Sequence, residues 1–171
     1  MNRSLLRALA LVLPLLGLAA AWALTHVRAQ RGTEWDVPVA GYDPRDLLRG
    51  HYVIFSYEWP GVADPARWVY GGGLCLHGSA PTIERVTGGA GRDCTARVQA
   101  HPSSEDFGGG LVTGRLYVSQ AEGARLQEQL TDPTLQGIAR VRIRDDGHVT
   151  PLGISFRPRP PVPAASPTDG S

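Results

Sequence analysis

From Ala8 to Thr25 the chain carries no charged residue, and Leu, Ala and Val fill most of the run. Eighteen such residues rise about 27 Å as a helix, close to the thickness of the hydrocarbon core of a bilayer. No polar face interrupts the run, which sets it apart from the amphipathic helix of a soluble domain. Pro14 and Gly17 are tolerated in a spanning helix. Arg3 and Arg7 precede the run; His26, Arg28 and Arg31 follow it. Ala19-Ala20-Ala21 and Ala21-Trp22-Ala23 have the small-residue form of a cleavage site. The run nevertheless exceeds the roughly 7–15-residue apolar core of a secretory signal. The expectation is an uncleaved anchor over residues 1–30, with membrane contact over residues 5–25. The short basic N-terminus predicts a single pass of a bacterial cytoplasmic membrane, N-inside, with a periplasmic or otherwise extracytoplasmic domain.

Charge divides along the same line. All seventeen basic residues are arginine, and the net charge is +1. Residues 1–30 carry +3, whereas residues 31–156 set twelve arginines against fifteen acids. A mildly acidic domain does not suit a nucleic-acid partner. The absence of lysine excludes Schiff-base chemistry, the phosphate-loop lysine and a serine–lysine dyad. Cys75 and Cys94 are the only cysteines and are disulfide candidates in an oxidising compartment.

The tail, residues 157–171, holds Pro158, Pro160, Pro161, Pro163 and Pro167, and cannot bury a core. The folded unit is therefore expected at 31–156. Strand patterns fall at 35–39, 52–59, 82–86, 94–98, 111–119, 138–144 and 148–156. Arg67–Tyr70 and Gly73–Leu76 flank a glycine run and are expected to pair as a hairpin. Asp145-Asp146-Gly147 is a turn between the last two strands. Leu126 and Leu130, spaced i, i+4, place one helix near 121–130, ended by Thr131-Asp132-Pro133. The expected fold is mainly β with one packed helix, a small antiparallel sheet or barrel-like domain, after an N-terminal transmembrane helix.

One stretch joins local structure to chemistry. Asp43 is an N-cap candidate, Pro44 fits the first helical position, Asp46 favours the helix dipole and Gly50 suits a left-handed cap. Leu47 and Leu48 would anchor such a turn, leaving Arg45 and Arg49 to bracket it or bind an anion. The five histidines show no i, i+3 or i, i+4 pair, so no metal or cofactor motif is visible. His51 beside Asp43 and Asp46 is the one local cluster with acid–base potential.

Gly50-His51-Tyr52-Val53-Ile54-Phe55-Ser56-Tyr57 resembles the motif that names the GDYXXLXY family of bacterial proteins, and Asp43–Arg49 resembles its lead-in. Gly114–Val118, the helix at 122–130 and the hairpin at 138–154 resemble its later passages. His51 stands where the family has Asp, and Phe55 where it has Leu. The resemblance implies a membrane-anchored architecture and a polytopic membrane protein as neighbour; it implies no activity. It assigns binding to Asp43, Arg45, Asp46, Arg49, Gly50, His51, Tyr52 and Tyr57. The reading is an accessory or binding module of unknown ligand, with no cofactor. The alternative is a hydrolase-like enzyme using His51 with Asp43 or Asp46. The same strand is similar to one in signal peptidases, but their serine–lysine mechanism needs a lysine that this chain lacks.

Overall fold

The computed structural model describes residues 3–41, 52–89, 91, 93–101 and 107–160. The chain forms two units, divided after Gly32.

The first unit is α1 (Arg3–Gln30). Its segment Ala10–Gln30 is long and apolar enough to cross a membrane, and Leu11, Leu13, Leu16, Leu18 and Trp22 are all exposed. Apolar side chains exposed around a whole helix fit hydrocarbon and not water.

The second unit is mainly β, with one packed helix, as expected. Its elements are β1 (Thr33–Gly41), β2 (Tyr52–Tyr57), β3 (Leu74–Ser79), β4 (Thr82–Gly88), β5 (Ala96–Val98), β6 (Thr113–Tyr117), α2 (Gln120–Thr131), β7 (Leu135–Ile143) and β8 (Val149–Pro158). β1 is the hub. One edge pairs antiparallel with β7 from Thr33↔Ile143 to Val39↔Gly137. The other edge is shared: Asp36 pairs parallel with Thr82 of β4, and Val39 to Gly41 pair antiparallel with β2. Pro38 lies at this fork. A proline in a central strand normally forfeits a ladder bond. Here its carbonyl accepts from Glu58 N–H at 2.8 Å, while its nitrogen falls where the neighbour changes from β4 to β2.

β2 continues to β6, and β7 to β8, both antiparallel. Two reversals on each side of β1 leave β6 and β8 running in the same direction. They approach each other without pairing, so the sheet curls into a five-stranded barrel, β1-β2-β6-β8-β7, with one open seam. Along the chain, three barrel strands, a helix and two further barrel strands follow one another. Between β2 and β6 the chain inserts β3, β4 and β5, a small antiparallel sheet.

Alternation builds the core. Trp35, Val37 and Val39 of β1 face inward, with Val53, Phe55 and Tyr57 of β2 and Ala139, Val141 and Ile143 of β7. Burying each large side chain stabilises the fold by about 1.5–3 kcal/mol. On the outward face two charged pairs are matched across the β1–β7 ladder: Arg140 donates twice to Asp36, at 2.9 and 3.0 Å, and Arg142 donates to Glu34 at 2.7 Å. Leu126 of α2 completes the core. Ser119 caps this helix by accepting from Glu122 N–H at 3.3 Å. Cys75 and Cys94 are joined by a disulfide.

Two sequence expectations are corrected. Arg67–Tyr70 is no strand: Asp64 accepts from Ala66 N–H and Pro65 opens a single 3₁₀ turn over Pro65–Trp68. The turn lays the Trp68 ring on Gly88, where a Cβ would sit 1.9 Å from Cε2. β3 pairs instead with β4 and β5. The last strand also outruns the limit at 156: Arg157 pairs with Gln136 and Pro158 with Leu135. Proline is tolerated at that terminal rung because the ladder asks little of its nitrogen.

Candidate functional site

The motif strand β2 has two faces. Val53, Phe55 and Tyr57 are buried, whereas Tyr52, Ile54 and Ser56 are half-buried on the outer side. The last motif tyrosine sits in an aromatic row: the Tyr57 ring is 5.4 Å from Phe55, perpendicular to it, and 5.1 Å from Trp59. Trp59 is fixed by its indole N–H, which donates to the Leu111 carbonyl at 2.7 Å. Gly114, opposite Phe55 on β6, makes room for this row. A Cβ there would meet the Tyr57 hydroxyl at 2.5 Å and the Phe55 ring at 2.7 Å.

The outer side carries a second cluster. Tyr52 meets Tyr117, its cross-strand partner, edge-on at 5.9 Å. The guanidinium of Arg115 lies over the Tyr52 ring, 4.7 Å from its centroid, a cation–π arrangement. Tyr117 is 69% exposed.

Beside this face the open seam forms a cleft of about 430 Å³, within the usual size range of ligand sites. Its β6 wall includes Thr113, Arg115 and Tyr117; its β8 wall includes Thr150, Pro151 and Leu152; Tyr57 reaches it from within. At one end His148 meets His101 edge-to-face, with ring centroids 4.8 Å apart. The β7–β8 turn holds His148 there. Asp146 accepts from His148 N–H at 3.1 Å and from the Arg144 guanidinium, and Gly147 adopts φ 83°. Burial pushes the Asp146 carboxyl up. The His148 N–H, the Arg144 guanidinium and the charge of His101 outweigh it and hold the pKa below the ordinary carboxylate value.

A carboxylate lowered in the folded state stabilises the fold at pH values above its unfolded pKa, and that contribution is lost as pH falls through the folded value. Asp146→Asn is therefore expected to lower the midpoint of thermal unfolding by about 2–4 °C near neutral pH. The gap from wild type should close in acid, and a gap constant from pH 7 to pH 3 would contradict this role.

Of the residues singled out from sequence, Tyr52 and Tyr57 stand on opposite faces of β2. Asp43, Arg45, Asp46, Arg49, Gly50 and His51 lie outside the described residues, as do Pro44, Leu47 and Leu48. No cluster of three or more His, Cys, Asp or Glu side chains placed to hold a metal occurs among the described residues. Sequence reasoning missed Arg115, Tyr117 and the His101–His148 contact. The Gly-Arg-Leu-Tyr alternation at 114–117 carried a signal for the first two. The histidines meet only through tertiary structure.

An apolar helix of spanning length ahead of a mainly β domain fits a membrane-anchored module. The family model described as GDYXXLXY protein matches residues 14–85, and the chain is similar to that family over this run. The likeness read from the motif is thus borne out. The matched run starts upstream of the motif, within α1, and ends at Arg85 in β4. No curated protein and no solved structure matches the chain.

Proposed function

We propose that this chain is a single-pass protein of the bacterial cytoplasmic membrane, oriented N-inside, whose barrel acts outside the cytoplasm as an accessory or binding module for a polytopic membrane protein. The observation that carries this reading is the joining of an apolar helix of spanning length to a domain closed by a disulfide. Disulfides persist in oxidising compartments, which favours the extracytoplasmic side. Arg3 and Arg7, ahead of the apolar run, favour retention of the N-terminus inside. The binding surface in this reading is the motif strand β2 with its neighbour β6, together with Asp43–His51 of the motif and its lead-in.

Fusions to the C-terminus test the orientation. Alkaline phosphatase is expected to be active there and green fluorescent protein dark; the reverse pattern would overturn the placement. A photo-crosslinking residue in place of Ile54 tests the partner in intact membranes. The expected adduct contains a polytopic membrane protein, identified by mass spectrometry. Adducts with soluble proteins alone, or none at all, would remove the partner from the reading.

A further inference from the structure

We propose that the Cys75–Cys94 bond is a thiol–disulfide exchange site with a fixed direction: an incoming aliphatic thiolate attacks the Cys94 sulfur, and Cys75 leaves as a thiolate held by His77. This chemistry is separate from the membrane placement and from any partner of the barrel. Access sets the direction, because exchange depends on which sulfur the attacking thiolate can reach. Cys75 is 1% exposed, whereas Cys94 is only half-buried. The backbone at Gly91 crowds Cys75 more closely as well: a Cβ there would sit 3.1 Å from Cys75 Sγ and 3.5 Å from Cys94 Sγ.

The surroundings favour the same leaving group. Cys75, His77, Arg85, Thr87 and Arg97 share one face of the insert sheet, through the pairs Cys75↔Thr87, His77↔Arg85 and Cys75↔Arg97. The His77 Nε2 atom lies 3.4 Å from Cys75 Sγ. A disulfide sulfur carries no hydrogen, so the ring nitrogen is the donor in this contact. Thr87 Oγ1, 3.2 Å from the same nitrogen, steadies the ring. A charged histidine beside a cysteine favours its thiolate, and a thiol of lower pKa leaves faster. Beside Cys94 Sγ lies instead the Gly91 carbonyl oxygen, 3.2 Å away, which disfavours an anion there. Arg97 donates to that carbonyl at 2.9 Å. The other charged groups around His77 are Arg85, its cross-strand partner, and the exposed acids Glu84 and Asp93, which act through water. In the first step the bond from the incoming sulfur to Cys94 forms as the S–S bond breaks. Its electron pair stays on Cys75 Sγ, which then takes a proton from His77 or from solvent. A second thiolate displaces Cys94 from the mixed disulfide, so two thiols become one disulfide and both cysteines are reduced.

Reaction of the full-length protein in detergent micelles with glutathione tests this, from about pH 5 to pH 8, where histidine changes charge. Samples are quenched with N-ethylmaleimide and digested; cleavage at Arg85 separates the two cysteines for mass spectrometry. Molecules caught in mid-exchange are expected to carry glutathione on Cys94 and maleimide on Cys75, in at least about tenfold excess over the reverse isomer. The rate constant per glutathione thiolate should rise about threefold to tenfold as the pH falls across this range and the ring charges. His77→Phe should slow exchange in acid by a similar factor and flatten the profile. Glutathione mainly on Cys75, an even mixture, or no exchange without denaturant would overturn the site. A flat wild-type profile, or one that His77→Phe leaves unchanged, would overturn the role of His77. The isomer ratio and the wild-type profile need no variant, so both stand even where His77→Phe fails to fold.

Discussion

Replacing Phe55 with alanine is expected to lower the free energy of unfolding by about 3–5 kcal/mol. Phe55 is completely buried and stands at the centre of the motif strand. Its ring packs perpendicular to Tyr57 and fills the space that Gly114 leaves on β6. Truncation removes the transfer free energy of the ring and leaves a cavity beside two rigid neighbours. Tyr57 is held between Phe55 and Trp59, and the Trp59 indole is hydrogen-bonded, so the site has little freedom to collapse. Phe55→Leu, which restores the residue typical of the motif, keeps much of the volume and should cost under about 1.5 kcal/mol. Urea unfolding of the two variants checks the pair. A loss below about 1 kcal/mol for the alanine variant would show that the motif strand is not central to the core.

The second large effect concerns the bond between Cys75 and Cys94. Nineteen positions separate the two cysteines. In the chain-entropy account, closing a loop of this size stabilises the folded state by about 3 kcal/mol. The loop encloses β4 and the approach to β5, so the bond restrains the part of the insert with the shortest strand. The Cys75→Ala, Cys94→Ala double variant is expected to unfold at a denaturant midpoint lower by the equivalent of about 2–4 kcal/mol. Reducing agent should lower the wild-type midpoint by a similar amount and leave the double variant unmoved. Equal sensitivity of both proteins to reductant would contradict the assignment.

Much of the barrel was readable in advance, for one reason. Where a strand has one buried and one solvated face, its side chains alternate, and Tyr52–Tyr57 and Ala139–Ile143 alternate plainly. The Asp-Gly turn and the i, i+4 leucines gave the last hairpin and α2. Arg67–Tyr70 misled because Trp, Val and Tyr favour strands, whereas the preceding Asp64-Pro65 pair dictates a turn. The seam was not readable at all. It exists because β6 and β8, which are separated in the chain by α2 and β7, approach as parallel neighbours without pairing. No local pattern encodes that meeting. The outer cluster was half readable: Tyr52 drew attention through its motif, but Arg115 and Tyr117 join it only through the β2–β6 register.

The junction of the insert with the barrel has a consequence for how such a domain can diverge. The chain leaves β2 at Tyr57 and returns at Val112, whose carbonyl accepts from the Tyr57 N–H at 2.9 Å. Both ends of the excursion therefore meet on neighbouring rungs. The entropy of closing such an excursion grows only slowly with its length. Lengthening or shortening it leaves every barrel rung where it was, provided rows such as Leu74, Leu76 and Val98 still cover the core. Relatives of this chain are thus free to differ most in size between their second and third barrel strands, and the barrel itself tolerates the change because it was never interrupted in space.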